Sequence, residues 1–404
     1  MTNSDSSSIA DKCFRLLKIS KESENNILDK YYQLLYGSSD IFVHKFPYKL
    51  ILQLTSECNL RCKHCFFNDK QEKYLTKNNL NKEELFSAIK YFVEEVNILS
   101  CIITGGEIFT SPFTLDIIEY FKKNAIIIKL VTNGTLINEN IARSLSKLLN
   151  PKCDVIQISL DGATKETNDS IRGTGSYENV INALELLKKY KLNIEISFTT
   201  NSRNVNEIPL MYELSQTYGI KKLNIGKISL ESEKQKYLIP KTEDLFKNIS
   251  KLYDIYDNST KLCLACLKIP DFLRFEEGIH IIDYELKKGL EYPDNLSCKP
   301  HSEQVAMFAN GDISLCYDCT VGNVIIGNIK NDSFENIWKN RKKLELFQDR
   351  ITKKHPCRKC KYLSLCLSGC PYRALQKYGT IYAPGLECEY FNKLQKEKND
   401  RNNL

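Results

Sequence analysis

The 404-residue sequence contains no apolar run that approaches the about 18 residues needed to cross a lipid bilayer. Its first eight residues, Met1 to Ser8, are polar and do not form a secretory signal peptide. A basic stripe interleaved with aromatic residues is also missing, and the net charge of +7 is modest for this length, so nucleic-acid binding is unsupported. We therefore expect a cytoplasmic protein with neither a membrane nor a nucleic acid as its partner.

Cysteine, by contrast, is abundant, with 16 residues in the chain. Because disulfides do not persist in the cytoplasm, this number indicates metal binding or redox chemistry. The hydrophobic fraction of 42% and the charged fraction of 26% are those of an ordinary globular protein. The length allows two or more domains and a large core.

Short apolar segments alternate with amphipathic helical patterns from about residue 48 to 228, and the alternation stops near residue 258. Continuous apolar runs of this kind are typical of a parallel sheet covered by helices. Asn81, with Glu84 three residues later, predicts a capped helix start, and Ser176 predicts a second cap. Six β-α units in sequence predict a complete or partial α/β barrel, with its chemistry at the C-terminal ends of the strands. The predicted strands are 50–54, 100–103, 126–131, 155–160, 194–198 and 223–228.

Three cysteines, Cys58, Cys62 and Cys65, follow the first predicted strand with the spacing C-x3-C-x2-C. Three thiolates on one short loop suit three irons of a cubane cluster and leave the fourth iron open. A structural zinc ion would need a fourth protein ligand nearby. A closed electron-transfer cluster would need four cysteines. The triplet therefore suits an iron–sulfur cluster with an open iron, but this interpretation needs the context of the residues that follow.

In this position the triplet resembles that of the radical S-adenosylmethionine (radical SAM) superfamily, over about residues 48–228. In that family three cysteines hold three irons of a 4Fe–4S cluster, and the amino and carboxylate groups of SAM chelate the fourth. Reductive cleavage of SAM yields a 5′-deoxyadenosyl radical that abstracts a hydrogen from the substrate. The resemblance implies that Cys58, Cys62 and Cys65 are cluster ligands and that His64 occupies a usually aromatic position near the adenine.

Gly105, Gly106 and Glu107 end the second predicted strand. Glycines let the backbone approach a ligand closely, and a carboxylate can accept hydrogen bonds from an ammonium group. The motif resembles the GGE motif of the family, which holds the SAM amino group. An ordinary turn would explain such a motif in isolation, but not its place behind the cysteine triplet.

Polar residues also end the third and fourth predicted strands. Asn133 ends the third, Ser159 and Asp161 end the fourth, and Arg172 follows. Arginine pairs carboxylates in a bidentate manner. The resemblance assigns Ser159 and Arg172 to the carboxylate region of SAM. It assigns either Asp161 or Asn133 to the ribose.

A second set of seven cysteines follows, with the spacing C-x12-G-x4-C, then C-x2-C-x5-C-x3-C, then a single cysteine. The pattern resembles the SPASM domain over about residues 296–392, in which two auxiliary iron–sulfur clusters are held. Gly311 and Asp312 would form the hairpin turn between the first two cysteines. A zinc ribbon is the alternative for the C-x2-C pair. The resemblance assigns the outer cluster to Cys357, Cys360, Cys366 and Cys388, and the inner cluster to Cys298, Cys316 and Cys370.

The inner cluster lacks one expected ligand, because residues 290–297 contain no cysteine. Either Cys319, Cys263 or Cys266 completes it, or one iron stays open to bind substrate. Cys319 is the nearest of the three in sequence. A structural thiol role for these three residues stays open as well.

The expected architecture is an α/β fold, a partial (β/α)6 TIM-like radical SAM barrel followed by a small cysteine-rich SPASM domain. A region so rich in cysteine and short turns cannot build much core by itself and would depend on bound metal. The predicted divisions are an N-terminal extension (1–47), the radical SAM core (48–257), a bridging segment (258–295), the SPASM domain (296–392) and a tail (393–404).

Proteins that combine these two halves mostly modify ribosomally made peptides. The resemblance thus implies a maturase that abstracts hydrogen from a precursor peptide and forms a thioether or C–C crosslink, or oxidises a side chain. Its cofactors would be SAM, one SAM-binding 4Fe–4S cluster and two auxiliary clusters of the 4Fe–4S type. A reductant such as flavodoxin or ferredoxin would be its partner.

Other functions stay open. A sulfatase-maturing enzyme would place a carboxylate directly after Cys316, but Tyr317 stands there and leaves Asp318 as the candidate base. A dehydrogenase acting on a small carbohydrate is a further alternative. An iron–sulfur electron carrier or a zinc-stapled binding module is the non-enzymatic one. The GGE motif and the strand-end polar groups argue against an electron carrier, which needs no SAM pocket.

Overall fold

The computed structural model describes residues 47–65, 79–228, 233–266, 304–317 and 325–339, and the short pieces 356–359, 368–370, 374–375, 378–380 and 382–383. The predicted N-terminal extension before residue 47, the bridging segment after residue 266 and the tail lie outside the described residues. The same holds for six predicted site residues: Cys298, Asp318, Cys319, Cys360, Cys366 and Cys388.

Six parallel strands form the centre of the fold, as the apolar segments predict. Each pairs with the next strand along the chain, beginning with Lys49 opposite Ser100. The strands are β1 (Lys49–Gln53), β2 (Ser100–Thr104), β3 (Ile127–Thr132), β4 (Val155–Ser159), β5 (Ile194–Thr200) and β6 (Lys222–Lys227).

Helices connect these strands, as the parallel order requires. The first helix begins with the predicted capping box, in which Asn81 and Glu84 satisfy each other's backbone N–H groups. The helices are α1 (Lys82–Glu94), α2 (Thr114–Lys123), α3 (Glu139–Leu148), α4 (Lys165–Arg172), α5 (Ser176–Lys189), α6 (Ile208–Thr217), α7 (Thr242–Ile255) and α8 (Phe334–Lys339).

The prediction that Ser176 caps α5 is wrong. Gly175 is the N-cap residue, and Ser176 is the first residue of the helix. The Ser176 hydroxyl instead donates to Asp169 (3.1 Å) and accepts from Asn168 (2.9 Å). The Asp169 carboxylate accepts the backbone N–H groups of Gly175 and Tyr177 at 2.9 Å each, so it satisfies donors that a serine cap would have served.

The sheet extends beyond the six predicted strands, so the β-α alternation does not stop at residue 258. The strand β7 (Lys261–Cys266) pairs in parallel with β6, and β8 (Gln304–Met307) pairs in parallel with β1. Two antiparallel strands, β9 (Asp312–Ser314) and β10 (Ile325–Asn328), complete the order β10-β9-β8-β1-β2-β3-β4-β5-β6-β7. Three strands from the predicted SPASM region therefore belong to the same sheet as the barrel.

The core lies between the sheet and its helices. Successive side chains of a strand point to opposite faces of the sheet, and the fully buried Leu52, Ile103 and Leu130 face the helices. Fully buried Phe334 and nearly buried Trp338 of α8 belong to the same apolar cluster, so part of the predicted SPASM region shares the core of the barrel. In the described part of the chain, no helix is long and apolar enough to cross a membrane.

Candidate cofactor site at the strand ends

The loop that carries the first cysteine triplet, residues 55–65 (the cysteine loop), leaves β1 and passes over the end of β2. The N–H of Gly106 donates to the carbonyl of Thr55 (2.8 Å), and the N–H of Glu107 donates to that of Glu57 (2.7 Å). A Cβ atom at Gly105 would lie 2.5 Å from the Thr55 oxygen, and one at Gly106 would lie 2.1 Å from the Glu57 oxygen. The two glycines are therefore required for the close contact between β2 and the cysteine loop.

The Glu107 side chain, the third residue of the GGE motif, is fully buried and connects the end of β2 to the end of β3. One carboxylate oxygen accepts the Thr132 hydroxyl (2.6 Å) and the N–H of Phe109 (3.2 Å). The other accepts the N–H of Asn133 (2.6 Å). Burial raises the pKa of Glu107, and these three donors oppose the rise. The carboxylate thus fixes the strand ends beside the loop, while its predicted contact with the SAM amino group stays a prediction.

Asn133 connects the end of β3 directly to the cysteine loop. Its side-chain amide donates to Asn59 (2.9 Å) and approaches the Cys58 sulfur at 3.9 Å. Asn59 in turn donates to the Thr135 hydroxyl at 2.9 Å. The Cys58 sulfur also accepts the N–H of Leu60 (3.4 Å). The first cysteine is therefore held from two sides by the protein itself.

The second half of the loop is held by α4 and by a residue far along the chain. The N–H of Lys63 donates to the carbonyl of Ile171 (2.9 Å), and the Cys62 thiol lies 3.9 Å from the carbonyl of Arg172. The side-chain amide of Gln235 donates to the carbonyls of Lys63 (3.4 Å) and Cys65 (3.2 Å). The loop conformation is thus determined by hydrogen bonds on both flanks of His64.

Three of the predicted SAM contacts meet in one buried cluster. Arg172 approaches the Asp161 carboxylate at 2.6 Å, and the His64 Nε2 atom lies 3.2 Å from the same oxygen. The other Asp161 oxygen accepts the N–H of Thr199 (2.7 Å), and the Asp161 N–H donates to Asn168 (2.9 Å). Asp161 is fully buried, so its carboxylate orients His64 and Arg172 below the loop. Ser159, the last predicted contact, lies half-buried at the end of β4.

Burial disfavours the charged forms of the side chains around the loop. It raises the pKa of the Cys62 thiol to about 11, an effect that the Arg172 guanidinium opposes, and it also raises the pKa of Cys58. Burial lowers the pKa of His64, opposed by Asp161, which favours the neutral imidazole. Thiolates in such surroundings need a positive partner, as bound iron would supply.

The arrangement fits a SAM-binding cluster. Two buried nitrogen atoms beside the loop, Nδ1 of His64 and Nε of Arg172, have no hydrogen-bond partner among the described residues and are available to a ligand. Within the same residues no three His, Cys, Asp or Glu side chains are grouped to hold a single metal ion. A cubane does not require such a group, because each thiolate binds a different iron.

The described part of the second cysteine set confirms the hairpin and leaves the clusters as predictions. Gly311, with φ of +88°, forms the turn between β8 and β9, and its N–H donates to the carbonyl of Phe308 (2.8 Å). Cys316 follows β9 and is half-buried. Cys357 lies in a 3-10 turn and accepts the Ser368 hydroxyl (3.4 Å). Cys370 is half-buried as well.

Cys263, one candidate for the missing inner ligand, lies on β7 opposite Asn224 of β6. Cys316 follows β9, and the sheet order puts seven strands between β9 and β7. No described pairing connects the two strands.

Several residues of the site are not predicted from the sequence. Asn59, Thr132, Asn168 and Gln235 each hold a predicted site residue or its loop. Thr132 directly precedes Asn133 at a strand end, so its position was a usable signal. Gln235 lies about 170 residues from the loop in sequence, and no local pattern connects the two.

Two regions of the chain match known families. Residues 52–196 match the Radical SAM superfamily, and residues 298–361 match SPASM, described as an iron-sulfur cluster-binding domain. The chain therefore contains a radical SAM domain followed by a SPASM domain. A radical SAM domain binds SAM and a 4Fe–4S cluster, and a SPASM domain binds auxiliary iron–sulfur clusters.

The relatives differ in what they make. The chain is 27% identical to an AdoMet-dependent heme synthase of Methanosarcina barkeri, over 84% of this chain and 97% of that protein. It is 25% identical to the antilisterial bacteriocin subtilosin biosynthesis protein AlbA of Bacillus subtilis, over 82% of this chain and 69% of that protein. The solved structure of anSMEcpe with AdoMet and the Cp18Cys peptide has a TM-score of 0.66 at 23% identity, covering 88% of this chain and 97% of that one. This structural likeness shows the fold.

Proposed function

We propose that this chain is a radical SAM/SPASM maturase that oxidises a ribosomally made peptide and leaves a thioether or C–C crosslink, or an oxidised side chain. The observation that carries the proposal is the cysteine loop held at the ends of β2 and β3 and by α4, with SPASM strands joined to the same sheet at β1. The AlbA relative takes part in bacteriocin biosynthesis, and the solved anSMEcpe structure holds a peptide beside AdoMet.

In the proposed reaction the residues of this chain bind and orient the cluster and SAM. Cys58, Cys62 and Cys65 would hold the cluster, and the unpartnered His64 Nδ1 and Arg172 Nε would be hydrogen-bond partners of SAM. When bound, SAM and the reduced cluster supply a 5′-deoxyadenosyl radical that takes one hydrogen atom from the peptide. The auxiliary clusters, which the SPASM cysteines would hold, would accept the second electron from the peptide, and its proton would pass to solvent. The peptide therefore loses two hydrogens.

The proposed partners are a precursor peptide and a small reductant such as flavodoxin or ferredoxin, which supplies the electron for SAM cleavage in the cytoplasm. Arg61 and Lys63 are exposed beside the cluster cysteines. An acidic donor protein would find complementary charge there.

The test is the mass of a candidate peptide, encoded by a short open reading frame beside this gene, after anaerobic co-expression. We expect a loss of two hydrogens, which the change of Cys58, Cys62 and Cys65 to Ala abolishes. Fragmentation places the new bond. A peptide of unchanged mass, with 5′-deoxyadenosine still released, would contradict a peptide maturase with that substrate.

A second candidate function is heme formation, because the heme synthase relative is matched over almost its whole length. An iron-porphyrin precursor incubated with the reduced protein and SAM would then give the absorption spectrum of heme, while the peptide mass stays unchanged. A third is sulfatase maturation, with Asp318 as the proposed base. There a protein cysteine or serine would become formylglycine, and Asp318→Asn with undiminished turnover would exclude that base.

A further inference from the structure

We propose that Gln235 is a binding residue of the SAM site. Its amide nitrogen holds the cysteine loop, and its amide oxygen accepts a hydrogen bond from an N–H or O–H group of bound SAM. The inference rests on the proposed SAM site and not on the identity of the substrate. It can therefore be tested separately from the proposed peptide chemistry.

Gln235 reaches the loop from the connection between β6 and α7. It lies in a 3-10 segment, Glu233–Leu238, whose end is anchored to the turn after β5. The N–H of Ser202 donates to the carbonyl of Leu238 (2.9 Å), and its hydroxyl donates to that of Tyr237 (2.9 Å). Gln235 itself is only 5% exposed. A buried amide on an anchored segment has a defined position.

The direction of the amide follows from its partners. Both groups that it contacts, at Lys63 and Cys65, are backbone carbonyls, which can only accept. The nitrogen must therefore point toward the loop, and the oxygen must point away from these two carbonyls. The two hydrogen bonds bracket His64, so the nitrogen restrains the segment that carries both the imidazole and the third cysteine.

The oxygen is buried and has no hydrogen-bond partner among the described residues. Buried polar atoms without a partner are rare in proteins and call for a ligand or a water molecule. Nδ1 of the neighbouring His64 is also buried and has no hydrogen-bond partner among the described residues. Nε2 of His64 faces the Asp161 carboxylate, so Nδ1 is the ring nitrogen that is left for a ligand.

Two unpartnered polar atoms therefore lie beside one cysteine loop. A ligand that satisfies the Gln235 oxygen must present an N–H or O–H donor. SAM has both kinds, in the adenine amino group and the ribose hydroxyls. This chemical match selects the adenosine portion of SAM, whereas the chelating amino and carboxylate groups belong at the cluster.

The test compares Gln235→Met, which keeps the side-chain length without polar atoms, with Gln235→Glu, which keeps an acceptor oxygen. Both variants lose the donor to the Lys63 and Cys65 carbonyls, so the difference between them reports the acceptor. Gln216→Met is the matched control, because Gln216 bonds to Asp257 and Ser259 in another part of the fold. Each protein is reconstituted with iron and reduced anaerobically. SAM affinity, iron content and the EPR spectrum of the cluster with and without SAM are then measured in the absence of any peptide.

We expect Gln235→Met to raise the Kd for SAM about threefold to tenfold, the usual size of one lost hydrogen bond. The SAM-induced change in the EPR spectrum should weaken, while iron content stays that of the wild type. Gln235→Glu should bind SAM more tightly than Gln235→Met, and Gln216→Met should match the wild type.

Two results would overturn the proposal. One is a wild-type Kd and a wild-type SAM-induced EPR change in Gln235→Met. The other is a loss of SAM binding in proportion to lost iron in both Gln235 variants, which would reduce Gln235 to a structural support of the loop. If Gln235→Met does not retain iron, the affinity of iron-loaded Gln235→Glu decides, and a Kd more than tenfold above the wild type would then count against an acceptor role.

Discussion

The two cysteine sets of this chain are supported in different ways. The cysteine loop of the radical SAM domain is held by backbone and side-chain hydrogen bonds from β2, β3, α4 and the β6–α7 connection. Among the described residues of the second set, Cys316 follows a three-residue strand, and Cys357 lies in a four-residue 3-10 turn. The conformation of the first site is thus supported by hydrogen bonds from the sheet. For the second site, whose described ligands lie on short elements, we expect a larger contribution from the bound metal.

The difference does not extend to the whole SPASM region. Its strands β8, β9 and β10 continue the barrel sheet, and α8 packs into the barrel core, where the ring of Phe334 lies 4.7 Å from that of Phe92. The expectation that this region builds little core of its own therefore needs one change. The first part of the region packs into the core of the barrel. In the cysteine-rich part after residue 356, Ser368 and Ala374 are the only buried residues among those that the structure describes.

The largest effect should come from removing one cysteine of each set. Cys62→Ala should abolish SAM-dependent release of 5′-deoxyadenosine, since three thiolates are needed to present the open iron. Cys316→Ala should still release 5′-deoxyadenosine but give no peptide that has lost two hydrogens. Each change should lower the iron content by about four per chain.

Anaerobic reconstitution, iron analysis and chromatography of the nucleoside check both variants. Cys101→Ala is a suitable control, because Cys101 is a buried strand residue away from the triplet. Loss of 5′-deoxyadenosine in Cys316→Ala would contradict the independence of the two sites.

A smaller effect tests the shared core. Trp338 is 1% exposed and stacks on Phe334, so Trp338→Ala should lower the free energy of unfolding by about 3–5 kcal/mol. Because α8 packs on the barrel, the whole chain should unfold at lower temperature in calorimetry. Tyr378→Ala, at a 44% exposed aromatic residue of the same region, should change little. A separate early transition that leaves the barrel unfolding temperature unchanged would show that the SPASM part does not share the core.

Much of the fold and the site could be predicted because the signals are local. The six apolar segments predict six of the parallel strands to within two residues at each end. The cysteine triplet and Glu107 lie directly after strands, and parallel strands bring their ends to one edge. The family match over residues 52–196 confirms the class of protein that these motifs indicate.

The rest depends on contacts between distant residues. Nothing local shows that β8 pairs with β1, about 250 residues away, or that Gln235 reaches the cysteine loop. The predicted cap at Ser176 failed because the Asp169 side chain, seven residues earlier, satisfies the helix N–H groups instead. No local pattern shows that the Asp161 carboxylate lies among His64, Arg172 and Thr199, and its contact with the ribose stays a prediction.

The smallest expected change in stability concerns the contact between β2 and the cysteine loop. In Gly106→Ala the new Cβ would lie 2.1 Å from the Glu57 carbonyl oxygen, so the loop or the strand end must shift. Overpacking of this kind costs about 1–3 kcal/mol of unfolding free energy. Gly219→Ala is the matched control, since it forces an alanine to φ of +66° in open space and costs about 1 kcal/mol without touching the site. The iron content of the two variants is then measured. We expect Gly106→Ala to lose the SAM-binding cluster and Gly219→Ala to keep it. Equal iron in both variants would mean that the cluster, and not the sheet, determines the loop.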